Sequence, residues 1–519
     1  MSQEAKQEFG KWRSFFWPVH AFELKKLLPM FFMFFFISFN YTILRDTKDT
    51  LIVTAAGAEA IPFLKSFGVV PAAILFMLLY AKLSNVLSKE NLFYVTLLPF
   101  VIFFGLFALV MYPAREALMP TTSAEWLKSV LPAGWGGLAA TYQNWMYAVF
   151  YILAELWGSV VLSLLFWGFA NQITKVGEAK RFYSLFGLGA NLALLLSGPA
   201  IYYVSIMRKN LTASVDPWQI SLNYLMGMVV VAGVAVLAIY WWMHRNVLTD
   251  TRFYDPNQER APGKKKKAKL SMLDSFKFIF SSKYLLSLAV LVIAYGISIN
   301  LVEVTWKGQV KLQYPNFNDY SAFMGLFSTV TGAVTVLMML FVGGNLVRRK
   351  GWGFAAMVTP VVLLITGVAF FSFVIFREDL APKIAEIGKN FPLLLTWMDP
   401  LFLAVIFGAA QNIMSKSSKY SLFDPTKEMA YIPLDDDSKV KGKAAVDVVG
   451  ARLGKSGGST IQIALLTFGT LASVAPYIAL ILFAVIGVWI VAVRSLNKQF
   501  VKLTAEQNKA AEGASSPIA

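Results

Sequence analysis

Long stretches of this chain carry no charge at all, and that restricts its fold more than any other feature. Leu27–Phe39, Leu92–Tyr112 and Ile478–Val493 contain no Asp, Glu, Lys, Arg or His. Crossing a bilayer takes about 20 largely apolar residues, and runs of this kind recur along all 519 residues. With 57% hydrophobic and 15% charged residues, the chain departs from soluble domains, which hold about 45–50% and about 25%. The expected fold is an all-α polytopic membrane protein of about twelve transmembrane helices. Among the expected spans are 27–44, 284–304, 398–414 and 444–474.

The organisation that follows is a tail over 1–26, a six-helix half over 27–245, a basic linker over 246–276, a second half over 277–497 and a tail over 498–519. Most of the 47 Lys and Arg fall in the tails and in alternate loops on the same side, which places both termini in the cytoplasm. Lys264–Lys267 and Lys269 read as a topology signal touching lipid headgroups rather than a nucleic-acid site. An echo joins the halves. Trp167-Gly-Phe-Ala-Asn171-Gln172-Ile173 resembles Phe407-Gly-Ala-Ala-Gln411-Asn412-Ile413, and Tyr183-Ser-Leu-Phe186 resembles Tyr420-Ser-Leu-Phe423. Parallel six-helix repeats characterise the major-facilitator architecture, whose substrate sits near the midplane between the halves.

Several chemistries are excluded early. The chain has no Cys and only two His, so thiolate chemistry and a zinc site have no ligands. No nucleophile, base and orienting group stand together, and no metal or cofactor is expected. Gly450-Ala-Arg-Leu-Gly454-Lys455-Ser456 has one residue too few between its glycines for a P-loop and continues a helix rather than following a strand. Gly450 and Gly454 read instead as close-packing or bend positions.

Ionisable residues inside spans are costly and point to a partner or a water-filled path. Glu155 is the only such residue between Lys128 and Lys175, and Glu303 the only one between Lys283 and Lys307. In the eleventh span Asp447, Arg452 and Lys455 share one broad helical face. Lys455 lies about 18 Å beyond Lys443 at ~1.5 Å per residue. The cationic surplus there suits an anion. Arg45, Lys48 and Lys65 border the first two spans, where snorkelling to the outer interface competes with a role at depth. Asp46 and Asp49 are local partners for Arg45 and Lys48.

Ile61-Pro-Phe-Leu-Lys65, Ala154-Glu-Leu-Trp-Gly158, Gly168-Phe-Ala-Asn-Gln172, Tyr295-Gly-Ile-Ser-Ile-Asn300-Leu-Val-Glu303-Val-Thr-Trp306, Tyr420-Ser-Leu-Phe-Asp-Pro425 and Leu453-Gly-Lys455-Ser-Gly-Gly458 closely resemble the ATP/ADP translocases of plastids and obligate intracellular bacteria. The resemblance runs through most of the chain. It implies twelve spans, exchange of adenine nucleotides, and importance for transport of Lys65, Glu155, Glu303 and Lys455. The chain differs from plastid members in lacking a transit extension, which points to a bacterial inner membrane, and in a longer loop near 377–391. The six-span mitochondrial carrier and its repeated Pro-x-acidic-x-x-basic signature are not matched.

The implied reading is a monomeric antiporter that imports ATP and releases ADP accompanied by phosphate. Lys65 and Lys455 hold the polyphosphate, assisted by Arg45, Lys48 and Arg452. Glu155 and Glu303 neutralise these cations in the empty site. Asn171, Gln172, Gln411, Asn412 and Trp306 are candidates for adenine. A proton-coupled nucleotide importer and a nucleotide-binding membrane receptor or enzyme stay open as rivals.

Overall fold

The computed structural model describes residues 19–174, 176–207, 216–250, 252–254, 279–280, 282–388, 399–435, 442–443, 446 and 450–515. Among them, helices α1 Leu24–Ala56, α2 Ala60–Val86, α3 Lys89–Met111, α4 Trp145–Ile173, α5 Val176–Met207 and α6 Pro217–Asn246 form the first half. Helices α7 Lys283–Gln313, α8 Phe317–Lys350, α9 Trp352–Ile375, α10 Pro400–Ser418, α11 Ala451–Leu466 and α12 Ala475–Ser515 form the second. Ten are long and apolar enough to cross a membrane. The shorter and more polar α10 and α11 occupy the remaining two places. The basic linker and Asp447 lie outside the described residues.

Helix starts follow local chemistry. Ser88, Asp216, Ser282 and Asp399 each accept a hydrogen bond from a backbone N–H of the first turn, and proline opens α6 and α10. Short polar side chains satisfy N–H groups that have no partner within the helix, and proline there has no N–H to lose. Gly57, at φ 90°, ends α1. Wide π turns interrupt α2 at Leu64–Val69, α4 at Gly158–Phe166 and α8 at Met338–Gly343, and another continues α10 over Lys419–Phe423. Such turns cluster at functional sites. The segment expected as a long loop near 377–391 contains the helix Arg377–Gly388.

In the first half α1 packs on α4, α5 and α6, and in the second α7 packs on α10, α11 and α12. Between halves the principal seam joins α5 to α8. A β-carbon on Gly198 would lie 2.7 Å from the Gly325 carbonyl oxygen, so the helices meet backbone to backbone. The first echoed motif lies in the fourth helix of each half, but the second does not mark equivalent places. Tyr183 lies inside α5, whereas Tyr420 belongs to the π turn that prolongs α10.

The twelve alternating helices put the start of α1 and the end of α12 on one side, here called the terminal side; the other is the distal side. Ser205 Oγ donates to Ser321 Oγ at 2.9 Å, Trp218 stacks on Phe317 with ring centres 5.6 Å apart, and Trp135 Nε1 donates to Thr467 Oγ1 at 2.9 Å. All three contacts join the halves near the distal helix ends. On the terminal side Lys26–Glu178, Arg181–Glu23 and Lys443–Glu428 each pair residues of one half, and the terminal stretch of α2, Val70–Val86, has no buried residue. Among the described residues the first three contacts clasp the halves distally, while the terminal-side pairs each stay within one half.

Candidate anion site between the halves

Five helices bring one residue each to a common depth. Arg45, Glu155, Glu303, Phe327 and Lys455 lie ten or eleven residues from the distal ends of their helices, at Ala56, Trp145, Gln313, Phe317 and Leu466. At about 1.5 Å per residue that is about 15 Å, half of an apolar core about 30 Å thick. The charges expected at depth in α4, α7 and α11 therefore gather at the midplane.

Carboxylates and cations there form a chain that crosses between the halves. Lys48 Nζ lies 2.9 Å from Glu155 Oε1 and 2.9 Å from Asp49 Oδ1, with the Tyr151 ring centre 3.9 Å away. Asp49 Oδ2 meets Lys307 Nζ at 2.8 Å, and Lys307 also reaches Glu303 Oε1 at 3.1 Å, one helical turn back. The other oxygen of Glu303 is 3.8 Å from Lys65 Nζ, which donates to Asn300 Oδ1 at 2.9 Å. Asn300 Nδ2 lies 2.8 Å from the Lys455 carbonyl oxygen and 2.9 Å from Ser459 Oγ. Beside this chain Arg45 Nε donates to Asp46 Oδ1 at 3.0 Å and Arg45 Nη2 to Ser328 Oγ at 2.7 Å. Ser328 Oγ in turn donates to Asp46 Oδ2 at 2.5 Å.

Pairing explains how so many charges tolerate this depth. Lys48, Asp49 and Lys307 are almost wholly buried, and removing one partner of a buried pair costs about 3–5 kcal/mol because the other is left unpaired. Among the described residues the site is nonetheless cationic. Arg45, Lys48, Lys65, Lys307, Lys416 and Lys455 outnumber Asp46, Asp49, Glu155 and Glu303 by two. Lys455 is solvent-exposed, and among the described residues its ammonium has no partner. Lys65 and Glu303 keep a quarter or less of their side chains accessible and Glu155 about a third, at 34%.

The outer-interface reading of Arg45 and Lys48 is corrected. Helix α1 continues past them to Ala56, and Asp46, Lys48 and Asp49 are buried. Hydropathy ends the span where charge begins, but these charges are neutralised within the bundle. Lys65 likewise points inward. Arg452 is within α11, while Asp447 lies outside the described residues.

The amides and the indole proposed for adenine are scattered instead. Asn171 and Gln172 lie sixteen or more residues beyond Glu155 on α4, a rise of about 24 Å, where they pair with Tyr183 and Tyr254. Asn412 is buried and donates to the Gly408 carbonyl oxygen, and the buried Gln411 amide adjoins Gly367 of α9. Trp306 is 1% exposed, donates from Nε1 to the Val405 carbonyl oxygen at 2.9 Å, and packs on Phe327. Its indole joins α7 to α10 and α8.

Residue-level reading missed Lys307, Asp49 as a link between halves, Asn300 as a hub, and Lys416. The expected spans stopped at 304 and 414, just short of both lysines. The spacing of Glu303 and Lys307, one turn apart, was the available signal.

A family model described as TLC ATP/ADP transporter matches residues 2–500. The chain is 58% identical to ADP,ATP carrier protein 1 of Chlamydia trachomatis over 98% of its own length and 95% of the relative's. It is 53% identical to ADP,ATP carrier protein 1, chloroplastic, of Arabidopsis thaliana, covering 96% of this chain and 78% of that one. With ADP,ATP carrier protein 1 of Rickettsia bellii it shares 45% identity over 96% and 97%. Among solved structures it is similar in fold to a bacterial homologue of the iron transporter ferroportin, with TM-score 0.54, 14% identity, and 93% and 99% of the two chains covered. It is also similar to a D-xylose-proton symporter, with TM-score 0.50, 11% identity, and 92% and 97% covered.

Proposed function

The chain belongs to the TLC ATP/ADP transporter family, and on that premise we propose that it is an antiporter, not an enzyme, exchanging ATP for ADP across a membrane. The observation that carries this reading is the cationic cluster at midplane depth, built by both halves, with the described contacts also clasping those halves on the distal side. In it Lys65 of α2 and Lys455 of α11 hold the polyphosphate from opposite halves with charge-assisted hydrogen bonds. Glu155 and Glu303 hold Lys48 and Lys307 in register while the site is empty.

The finer features belong to the same proposal. The membrane is a bacterial inner membrane, the terminal side is cytoplasmic, and the protein acts as a monomer in the bilayer without nucleic acid. ATP enters while ADP leaves, accompanied by phosphate. Exchange runs by alternating access: the distal clasp opens, the terminal side closes, and the site is reached from the other face. No hydrolysis is needed, since concentration gradients and membrane potential set the direction.

Uptake of labelled ATP into liposomes carrying the purified protein tests this. Uptake should require ADP or ATP inside, with little into empty liposomes. Uptake into empty liposomes driven by a proton gradient would replace exchange with proton-coupled import, and hydrolysis without uptake would remove transport altogether.

A further inference from the structure

Among the described residues Lys416 is a partly exposed cation next to the ion-pair chain that neither the sequence motifs nor that chain uses. It is partly exposed on α10, with its ammonium 5.1 Å from the centre of the Phe327 ring. Among the described residues it has no hydrogen bond or ion pair. Its charged neighbours are Glu303, Arg45, Lys307 and Asp46, drawn from α7 and α1. Phe327 adjoins Ser328, which receives the Arg45 guanidinium at 2.7 Å. Phe327 and Ser328, consecutive on α8, thus hold Lys416 of the second half and Arg45 of the first, and the two cations are electrostatic neighbours. Arg45 uses Nε on Asp46 and Nη2 on Ser328, which leaves Nη1 free to donate.

Resting on the exchange reading above, we propose that Arg45 and Lys416 form a second anion subsite, which receives the terminal phosphoryl group of ATP and is left empty by ADP. Glu303 neighbours a cation of each pair, Lys65 at 3.8 Å and Lys416 through its charge. Lys65 and Lys455 serve the two phosphoryl groups that ATP and ADP share. The additional phosphoryl group brings additional charge, and the second pair supplies unused donors for it. A lysine kept over an aromatic face, with no carboxylate in hydrogen-bonding reach, is ready to bind an anion without first breaking an ion pair.

Competition binding of ATP and ADP to the full-length protein tests this, with Lys416→Gln, Lys416→Arg and Lys65→Gln beside the unaltered chain. Lys416→Gln should weaken ATP by about tenfold, the scale of one charge-assisted hydrogen bond, and ADP by less than about threefold. Lys416→Arg should restore the preference for ATP, and Lys65→Gln should weaken both nucleotides alike. Retained ADP binding shows that the variant is folded. Equal loss of both nucleotides in Lys416→Gln, or no loss of either, overturns the subsite and leaves exchange standing. Binding of neither nucleotide by the unaltered chain brings down exchange and subsite together. Inorganic phosphate, titrated with ADP present, separates the remaining source of the same chemistry. If Lys416→Gln blunts only the response to added phosphate and leaves ATP affinity intact, the pair serves free phosphate and the assignment to ATP falls.

Discussion

At the residue scale, Lys455 and the two glutamates carry opposite expectations. Among the described residues the Lys455 ammonium makes no hydrogen bond or ion pair, while its carbonyl oxygen supports Asn300 and is unaffected by a side-chain change. Lys455→Ala should therefore abolish ATP binding with little change in thermal stability. Unchanged ATP affinity in the well-folded variant would contradict the polyphosphate assignment. Glu155 and Glu303 touch cations instead, at 2.9 Å and 3.1 Å. Glu155→Gln and Glu303→Gln should slow exchange markedly while nucleotide binding persists. The destabilisation is expected at about 3–5 kcal/mol at most for a fully buried pair, and less here because both carboxylates are partly solvated. Equilibrium binding and exchange on one preparation would check this, and complete loss of binding in a folded variant would place the glutamates against the nucleotide.

At the element scale, small residues decide where the charges stand. A β-carbon on Gly296 of α7 would lie 2.8 Å from the Gly454 Cα of α11, so the two helices touch through bare backbone. This contact sets Asn300, one turn further along α7, within reach of the Lys455 carbonyl oxygen and Ser459. Gly296→Val should force the helices apart, cost about 1–3 kcal/mol and weaken ATP binding. Gly487→Ala, whose β-carbon meets nothing within 4 Å, should do neither. Thermal melting in detergent beside ATP titration would show whether the two losses travel together, as the crossing requires.

At the scale of the whole molecule, the clasp on the distal side must open for exchange. Ser205 and Ser321 face each other across the α5–α8 seam at 2.9 Å between hydroxyl oxygens, a separation compatible with disulfide geometry. Because the chain has no native Cys, Ser205→Cys with Ser321→Cys gives a clean pair. Oxidation should cross-link the halves and stop exchange, and reductant should restore it; a cross-linked protein that still exchanges would refute opening along this seam. The surplus of cations also predicts that free nucleotide is the transported form. A magnesium ion prefers carboxylates and water, whereas the cluster's carboxylates are already held by Lys and Arg. Raising magnesium at constant total ATP should therefore lower uptake, and uptake rising with the magnesium complex would contradict this charge balance.

The sequence by itself determined the membrane setting, the recurrence of apolar spans, the family resemblance and the suspicion attached to Glu155, Glu303 and Lys455. Each rests on what one stretch of chain cannot hide, a long apolar run or a lone charge within it. Tertiary structure alone decided which charges meet. Asp49 and Lys307 are separated by about half of the chain yet lie 2.8 Å apart, and the two halves are joined through that pair. It also decided that Lys48 is buried rather than at an interface, that Trp306 is a packing residue, and that Lys416 stands next to the ion-pair chain. Hydropathy is a sum over neighbours in sequence and counts a charge as a loop wherever it falls. The cost of burying that charge depends on partners in space, and those partners come from other helices.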